Sequence, residues 1–162
     1  MAKEIERKYL VKDFTFKQLS KGILYRQGYL STNPGATVRI RIVGDRAYLT
    51  IKGADKGITR LEYEYELPLR DANEIMDNLC LKPIIEKYRY RIEHEEHIWE
   101  VDEFIGDNEG LVIAEIELES EEEEFAKPDF IGKEVSGDYR YCNSNLVARP
   151  FKDWKQFEDD VN

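Results

Sequence analysis

The first predicted strand opens with Glu4-Ile5-Glu6-Arg7-Lys8, in which charged residues recur at every second position. Because side chains of a β-strand alternate between two faces, Glu4, Glu6 and Lys8 project from one face and Ile5 from the other. Two carboxylates and an ammonium group on one face form either a solvated surface or a site for a metal ion and an anion. The same alternation returns in later strands, so this choice decides both fold and function.

Other segments alternate in the same way, and turn residues separate several of them. Together with the first segment, the predicted strands are 3–11, 25–30, 36–43, 46–53, 59–67, 86–94, 97–104 and 110–119. Gly44-Asp45 predicts a tight hairpin between the third and fourth strands. The short connections favour a mostly antiparallel sheet, and about eight strands are enough to close a barrel.

Helix starts are indicated by capping-box patterns at two places. Asp71 with Glu74 precedes an apolar stripe, and Ser120 with Glu123 forms a second pair. The acidic run 121–124 would favour the positive end of a helix dipole. We therefore expect a helix after each pair.

The C-terminal part of the chain carries further helical signals. A helix is predicted around 139–148, and the segment 151–162 has Phe151, Trp154 and Phe157 at helical spacing. We expect these aromatic side chains to pack against the barrel exterior or against a neighbouring subunit.

The composition limits the class of protein. With 162 residues and 41% hydrophobic residues, the chain is most simply one domain over 1–162 that buries a core. A formal net charge of -10 argues against a nucleic-acid-binding or membrane-surface protein, because both need a basic face. The chain has neither a bilayer-length apolar stretch nor a signal pattern, so we expect a cytoplasmic protein. Cys80 and Cys142 are too few for a disulfide framework and are predicted to be reduced thiols.

Like charges lie in blocks along one face of the predicted strands. Arg39 and Arg41 share one strand, and Glu62 and Glu64 share another. A salt-bridge ladder that only stabilises a sheet would intersperse the signs. Blocks of one sign repel each other unless a ligand neutralises them. The planar fork of arginine suits phosphate, and carboxylates suit divalent cations. For any single strand, a wet sheet face without a ligand is the alternative.

A barrel with this charged face inward would have a polar tunnel as its lumen and its apolar face outside. The charges must then stay hydrated or be bound, because burying them unpaired is costly. The predicted fold is therefore α+β, an eight-stranded antiparallel β-barrel with a charged lumen and helices packed outside.

The charged motifs also occur in a characteristic order. They are Glu4-x-Glu6-x-Lys8, Arg39-x-Arg41, Lys52, Glu62-x-Glu64, Lys87-x-Arg89, Asp102 and Glu115-x-Glu117. This order resembles the CYTH superfamily, also called triphosphate tunnel metalloenzymes, and most of all its short bacterial inorganic triphosphatases. The resemblance covers nearly the whole chain and implies a tunnel that binds a triphosphate and a divalent metal ion.

The resemblance also implies roles for individual residues. Phosphate contacts are implied for Lys8, Arg39, Arg41, Lys52, Lys87 and Arg89. Metal binding is implied for Glu4, Glu6, Glu62, Glu64, Asp102, Glu115 and Glu117. Catalytic roles are implied for Lys87 and for Tyr29, which matches a tyrosine placed near a catalytic lysine; a packed strand aromatic is the alternative for Tyr29. Further candidates, each with a structural ion pair as the alternative, are Arg60, Arg91, Lys133 and Arg140.

The predicted function is hydrolysis of inorganic triphosphate with Mg²⁺ or Mn²⁺, releasing orthophosphate. The alternatives are a class IV-type adenylyl cyclase, a thiamine triphosphatase, or a noncatalytic triphosphate- or polyphosphate-binding module. The predicted partner is a small-molecule triphosphate, without nucleic acid or membrane, and the resemblance implies a homodimer. His94 and His97 could bind zinc but lack a third ligand, so solvated turn residues are predicted there.

Overall fold

An antiparallel β-barrel of eight strands forms the body of the protein, whose computed structural model describes residues 2–154. Its strands are β1 (Lys3–Val11), β2 (Ile23–Ser31), β3 (Ala36–Val43), β4 (Arg46–Gly53), β5 (Thr59–Leu67), β6 (Ile85–His94), β7 (His97–Phe104) and β8 (Val112–Glu117). The sheet closes because β1 pairs with β8 along one edge and, at residues 3–5, with β5 along the other. The predicted barrel is confirmed, and so is the hairpin at Gly44, where φ is 59° and Val43 pairs with Arg46.

A ninth strand, β9 (Ile131–Glu134), was not predicted. It pairs with Tyr9 and Val11 of β1, beyond the point where β5 leaves that edge. Gly132 allows the close approach, because a Cβ there would lie 3.1 Å from the carbonyl oxygen of Leu10. A strand of four residues is too short to show alternation, which is why the pattern missed it.

The apolar face of the barrel lies outside, and separate clusters cover parts of it. The helix α1 (Leu69–Asn78) packs Ala72 and Met76 against Ile40 and Ile42 of β3. Burying side chains of this size contributes roughly 1.5–3 kcal/mol each. This helix covers β3 as expected.

On the opposite side of the barrel, the cover is a short 3₁₀ helix (Thr15–Gln18), which buries Phe16, together with irregular segments. Trp99 on β7 makes edge-on contacts with Tyr9 at 5.5 Å and with Phe125 at 5.8 Å between ring centroids.

Near the C-terminus, Phe151 and Trp154 pack against a third buried cluster, whose members Ile85 and Ile113 share the inward strand face with Lys87 and Glu115. The prediction that these aromatic side chains cover the barrel exterior is therefore wrong, because they pack on the lumen side of the strands. The third aromatic residue of that prediction, at position 157, lies outside the described residues.

The outer face of β5 is not covered within the described chain. Leu61, Tyr63 and Tyr65 are 41%, 42% and 56% exposed. The prediction that helices cover the apolar exterior is therefore wrong for this strand, since α1 packs mainly on β3 and only partly on β4.

The start of α1 differs from the predicted capping box. The residue that precedes the helix is Pro68, and Asp71 lies in the first turn without a side-chain capping hydrogen bond. Proline fixes φ near the helical value and has no N–H group to satisfy, so the helix begins earlier than Asp71.

The prediction of a helix after Ser120 is wrong. Residues 120–130 form turns and irregular structure. The Glu123 side chain accepts a hydrogen bond of 2.7 Å from the backbone N–H of Glu119 and also hydrogen-bonds His97. These bonds hold the segment against β7, where Phe125 contacts Trp99.

The helix predicted over 139–148 is divided into two short pieces. Tyr139–Tyr141 forms a 3₁₀ turn and α2 spans Asn145–Ala148. Between them Cys142 is extended, with ψ of 132°. No helix in the described residues is long and apolar enough to cross a membrane.

Candidate active site

The inward face of the barrel encloses a charged cavity of about 230 Å³. The predicted site residues that line it are Glu4, Glu6, Lys8, Tyr29, Arg39, Arg41, Lys52, Glu62, Glu64, Lys87, Arg89, Glu115 and Glu117. Alternation along each strand accounts for this convergence, because every second residue of an antiparallel barrel faces the lumen. Asp102 is the one predicted site residue that does not line the cavity.

Arg41 provides the most unusual charge in the basic part of the wall. Its Nε donates a hydrogen bond of 2.8 Å to Oε1 of Gln27, and its guanidinium carbon lies 5.1 Å from the centroid of the Tyr25 ring. No carboxylate pairs with it in the described part of the chain. Burial, together with the neighbouring Arg39 and Arg89, lowers the pKa of Arg41 to about 10. A partly buried guanidinium without a counter-ion is a strong local attraction for an anion.

Arg39 adds a second incompletely bonded guanidinium. Its Nη2 donates to Oγ1 of Thr50 at 3.1 Å, and the same atom lies 3.9 Å from Glu64. Its Nε is buried and has no hydrogen-bond partner within residues 2–154. Buried donors are rarely left unpaired in proteins, so a ligand oxygen fits this position.

Asp102 lies behind the cavity wall and holds two of the cations. It is fully buried and accepts hydrogen bonds from Arg89 at 2.7 and 2.8 Å, while Lys87 Nζ lies 2.7 Å away. Burial alone would raise the pKa of this carboxyl, but Arg89 and Lys87 hold it well below its usual range. With both oxygens occupied, Asp102 acts as an anchor for the basic wall in this structure.

Lys87 is also fully buried, and its amine is perturbed. Burial lowers the pKa of Lys87 to about 7, and the nearby charges of Arg89 and Arg41 act in the same direction. Asp102 opposes this effect, but its charge is already shared with Arg89. Lys87 can therefore exchange a proton near neutral pH.

The acidic part of the wall contains more carboxylates than its cations can neutralise. Glu4 pairs with Lys52 at 3.1 Å and with Arg60 at 3.2 Å. Burial, with the charges of Glu115 and Glu4, raises the pKa of Glu6 to about 7. Crowding of this kind disfavours the ionised state unless a further cation binds.

Glu62 shares this perturbation. Burial and a hydrogen bond with Glu4 raise the pKa of Glu62 to about 7, although Lys52 lies 3.3 Å away. Oxygen donors of this kind fit a hard divalent cation. Within residues 2–154 no three such side chains converge on one point as they stand, so binding an ion would require them to rotate away from Lys52 and Arg60.

Several residues of the site were not predicted, among them the amide of Asn143, which lines the cavity, and the amide of Gln27, which lies behind it. Gln27 is fully buried, and its Nε2 donates to Oδ1 of Asn143 at 3.1 Å. The same oxygen accepts a hydrogen bond of 2.8 Å from Lys87. Gln27 occupies an inward position of β2, so alternation could have found it, whereas Asn143 reaches the cavity from an irregular segment. Also missed were Tyr25, Thr37, Cys142 and Ser144, whereas Glu100 was on the predicted inward face but had no assigned role.

Tyr29 is buried in the cavity wall, 4% exposed. The polar partners of Lys87 in the described structure are Asp102 and Asn143. The implied pairing of Tyr29 with the lysine therefore stays a prediction.

The further candidates form ion pairs or lie on the surface. Arg60 lines the cavity beside Glu4, whereas Arg91 is exposed and lies 3.9 Å from Glu100. Arg140 pairs with Asp138 at 2.8 Å, and Lys133 is exposed.

His97 differs from the prediction of a solvated turn residue. Its side chain is 18% exposed and hydrogen-bonds Glu123, which raises the pKa of His97 above its ordinary value.

A closed antiparallel barrel with a basic and an acidic wall around one lumen defines a tunnel for anions and cations together. The CYTH domain family matches residues 2–151, and the chain belongs to this family. An inorganic triphosphatase of Acetivibrio thermocellus is 57% identical over 156 residues, which cover 96% of this chain and 100% of that protein. An inorganic triphosphatase of Nitrosomonas europaea is 33% identical, covering 89% of this chain and 96% of that protein.

Solved structures share the fold. The crystal structure of an inorganic triphosphatase has a TM-score of 0.63 and 29% identity, covering 88% of this chain and 96% of that chain. A Bacillus halodurans protein provisionally named an adenylate cyclase has a TM-score of 0.60 and 24% identity, covering 75% of this chain and 84% of that chain. The second likeness concerns the fold alone.

Proposed function

We propose that this protein is a divalent-metal-dependent triphosphatase that hydrolyses inorganic triphosphate to pyrophosphate and orthophosphate inside the barrel. The observation that carries the proposal is Arg41, a partly buried guanidinium held by a neutral amide and an aromatic face instead of a carboxylate. Arg39 and Arg89 lie close enough to lower its pKa. An anion of high charge density would stabilise such a cluster, and triphosphatases at 57% and 33% identity support the choice of that anion.

The basic wall would bind the phosphate chain. Contacts with phosphate oxygens are proposed for Lys8, Arg39, Arg41, Lys52, Lys87 and Arg89. Hydrolysis of a phosphoanhydride depends mainly on positioning and on neutralising charge, and these residues supply both. Tyr29 faces the same cavity, where its hydroxyl could donate to a phosphate oxygen.

The acidic wall would hold the metal ion, and we propose Mg²⁺ or Mn²⁺. Its candidate ligands are Glu4, Glu6, Glu62, Glu64, Glu115 and Glu117, with Asp102 retained as a predicted ligand. Burial and the neighbouring carboxylates raise the pKa values of Glu6 and Glu62, and a bound cation would oppose both effects. A bound divalent ion would supply charge neutralisation to the phosphate oxygens and orient water.

Lys87 is the proposed proton acceptor. With its pKa near 7, a substantial fraction of the amine is neutral at physiological pH. It can therefore take a proton from the attacking water while the neighbouring guanidinium of Arg89 stays charged. The fixed hydrogen bonds to Asp102 and Asn143 restrict where the amine points.

The test is a phosphate-release assay on tripolyphosphate, ATP and thiamine triphosphate with Mg²⁺, with Mn²⁺ and with EDTA. We expect metal-dependent release that is fastest with tripolyphosphate and is lost in Arg39→Ala. The control Arg46→Ala changes an exposed arginine paired with Glu66 and should leave the rate unchanged. Cyclic AMP formed from ATP would support a cyclase, fastest turnover of thiamine triphosphate a thiamine triphosphatase, and tight binding without release a noncatalytic module. No metal-dependent release from any of the three contradicts the enzyme proposal.

The homodimer implied by the family resemblance stays a prediction. Light scattering of the purified protein at several concentrations measures its mass directly. A mass of one chain, 19.1 kDa, at all concentrations would contradict it.

A further inference from the structure

A chain of hydrogen bonds connects Arg41 to Lys87 through two neutral amides. Arg41 donates to Gln27 at 2.8 Å, Gln27 donates to Asn143 at 3.1 Å, and Lys87 donates to the same Asn143 oxygen at 2.8 Å. None of these residues is adjacent in sequence, and Gln27 and Asn143 are separated by 116 positions. The fold therefore brings together two amides that do not belong to any of the charged motifs.

The orientation of both amides follows from the chemistry of the first donor. A guanidinium can only donate, so Gln27 must present its oxygen to Arg41 and its NH₂ group to Asn143. Asn143 must then present its oxygen, which is also the atom that Lys87 meets. The direction of every bond in this chain is thus determined by Arg41.

The amides hold the two cations without neutralising them. Gln27 is fully buried, a position where a glutamate would form an ion pair with Arg41. A carboxylate there would satisfy the guanidinium and weaken its attraction for an anion. The neutral amide instead fixes the direction of the Arg41 Nε–H bond and leaves the positive charge available.

At the other end, two partners fix the Lys87 amine. Its Nζ lies 2.7 Å from Oδ2 of Asp102 and donates to Asn143. An amine nitrogen has three positions apart from its carbon, and these contacts occupy two of them. The remaining position is left for a group in the cavity, which Lys87 lines.

We propose that Gln27 and Asn143 are positioning residues that aim Arg41 and Lys87 at the bound phosphate chain without adding a negative charge beside either group. This inference rests on the proposed function, because it assigns the two ends of the amide pair different tasks in the same reaction. Gln27 acts mainly on anion binding through Arg41. Asn143 acts mainly on the chemical step through Lys87.

The experiment measures kcat and KM for tripolyphosphate at saturating Mg²⁺ in Gln27→Met, Asn143→Leu and the double variant. Each single change keeps approximate size and removes hydrogen bonds. Gln27→Met should raise KM roughly 10- to 100-fold, the effect of losing one hydrogen bond to a charged group, with kcat within about threefold. Asn143→Leu should lower kcat by a similar factor with little change in KM. The double variant should lose less than the product of the two effects, because the amides act as one unit.

A matched control is Asn145→Leu, which removes a nearby asparagine that makes none of these contacts and should leave both constants unchanged. Melting temperatures of all variants detect a general loss of folding. The positioning role is overturned if kcat falls and KM rises by equal factors in each variant, in proportion to its drop in melting temperature. It is also overturned if the variants behave like the control.

Calorimetry of tripolyphosphate binding separates this inference from the proposed function. If wild-type protein releases no phosphate, the triphosphatase proposal fails. Weaker binding in Gln27→Met, by about tenfold or more, would then still support the arrangement at Arg41, and unchanged binding would refute it.

Discussion

Replacing Arg41 with methionine should stabilise the free protein and damage its function at the same time. Folding lowers the pKa of Arg41 from its ordinary value to about 10, which disfavours the charged form by about 3 kcal/mol, at about 1.36 kcal/mol per pH unit. Methionine has a similar length and removes this penalty, but it leaves Gln27 without its donor, which costs about 1 kcal/mol. The net gain is about 2 kcal/mol. For a domain of this size that corresponds to a melting temperature roughly 4–8 °C higher.

The same change should weaken substrate use strongly. Loss of one charge-assisted contact with phosphate corresponds to about 1.5–3 kcal/mol, so KM for tripolyphosphate should rise roughly 10- to 100-fold. The assay pairs thermal melts of the metal-free protein with initial rates of phosphate release. Arg46→Met is the control, because this arginine is 64% exposed and should change stability by less than about 0.5 kcal/mol.

The opposite pattern would refute the reasoning. A melting temperature lowered by several degrees with unchanged KM would show that Arg41 is a structural cation. It would then be satisfied by its contacts with Gln27 and Tyr25 and would need no anion.

Further predictions concern the carboxylates and the packing. Because the folded pKa values of Glu6 and Glu62 are about 7, above their unfolded value of 4.5, ionisation between these pH values favours unfolding. The melting temperature of the metal-free protein should therefore fall as the pH is raised through that range. The fall should be smaller in Glu6→Gln and smaller when Mg²⁺ is added. A melting temperature that rises with pH over the same range would contradict this prediction. Asp102→Asn leaves two buried cations uncompensated and should cost about 3–5 kcal/mol in urea unfolding, whereas a loss under about 1 kcal/mol would favour a ligand role. Gly28→Val places a Cβ 2.8 Å from Sγ of Cys80 and should lower the free energy of unfolding by about 1–3 kcal/mol in the same assay. An unchanged free energy of unfolding would show that the segment around Cys80 shifts to make room.

The barrel was predictable because the alternation of side chains along a strand is a local pattern. Alternation assigns Arg39 and Arg41 to one face and Ile40 to the other, whatever the rest of the chain does. Closure adds the constraint that one face must become the lumen. The charged residues were therefore placed in the cavity without knowledge of any pairing register.

The missing parts depend on contacts that no local pattern contains. Asn143 meets Lys87 only because the predicted helix over 139–148 breaks at Cys142. Residues 131–134 become a strand only because an edge of β1 is free beside them. In both cases tertiary structure decides, and the intrinsic preference of the segment is weak.

Asp102 shows a further limit of pattern reasoning. Alternation assigns it to the same face as Glu100, and Glu100 does line the cavity. The shorter aspartate instead lies beneath Arg89, whose long side chain reaches over it with two hydrogen bonds. The face of a strand can be read from the sequence, but the depth of a side chain within a closed barrel depends on its length and on its neighbours.

The two walls of the cavity differ in how their charges are satisfied, and under the proposed function this difference would couple metal and anion. Lys52 is bound to Glu4 and Glu62 in the free protein, so it can turn to phosphate only when another cation replaces it beside those carboxylates. A divalent ion on the acidic wall would release the lysine, and an anion that engaged the lysine would free the carboxylates for the ion. By thermodynamic linkage, each ligand then raises the affinity of the other by the same factor. Under the proposed function, the segregation of charge that first singled out Glu4, Glu6 and Lys8 predicts that the metal ion and the anion bind as a pair.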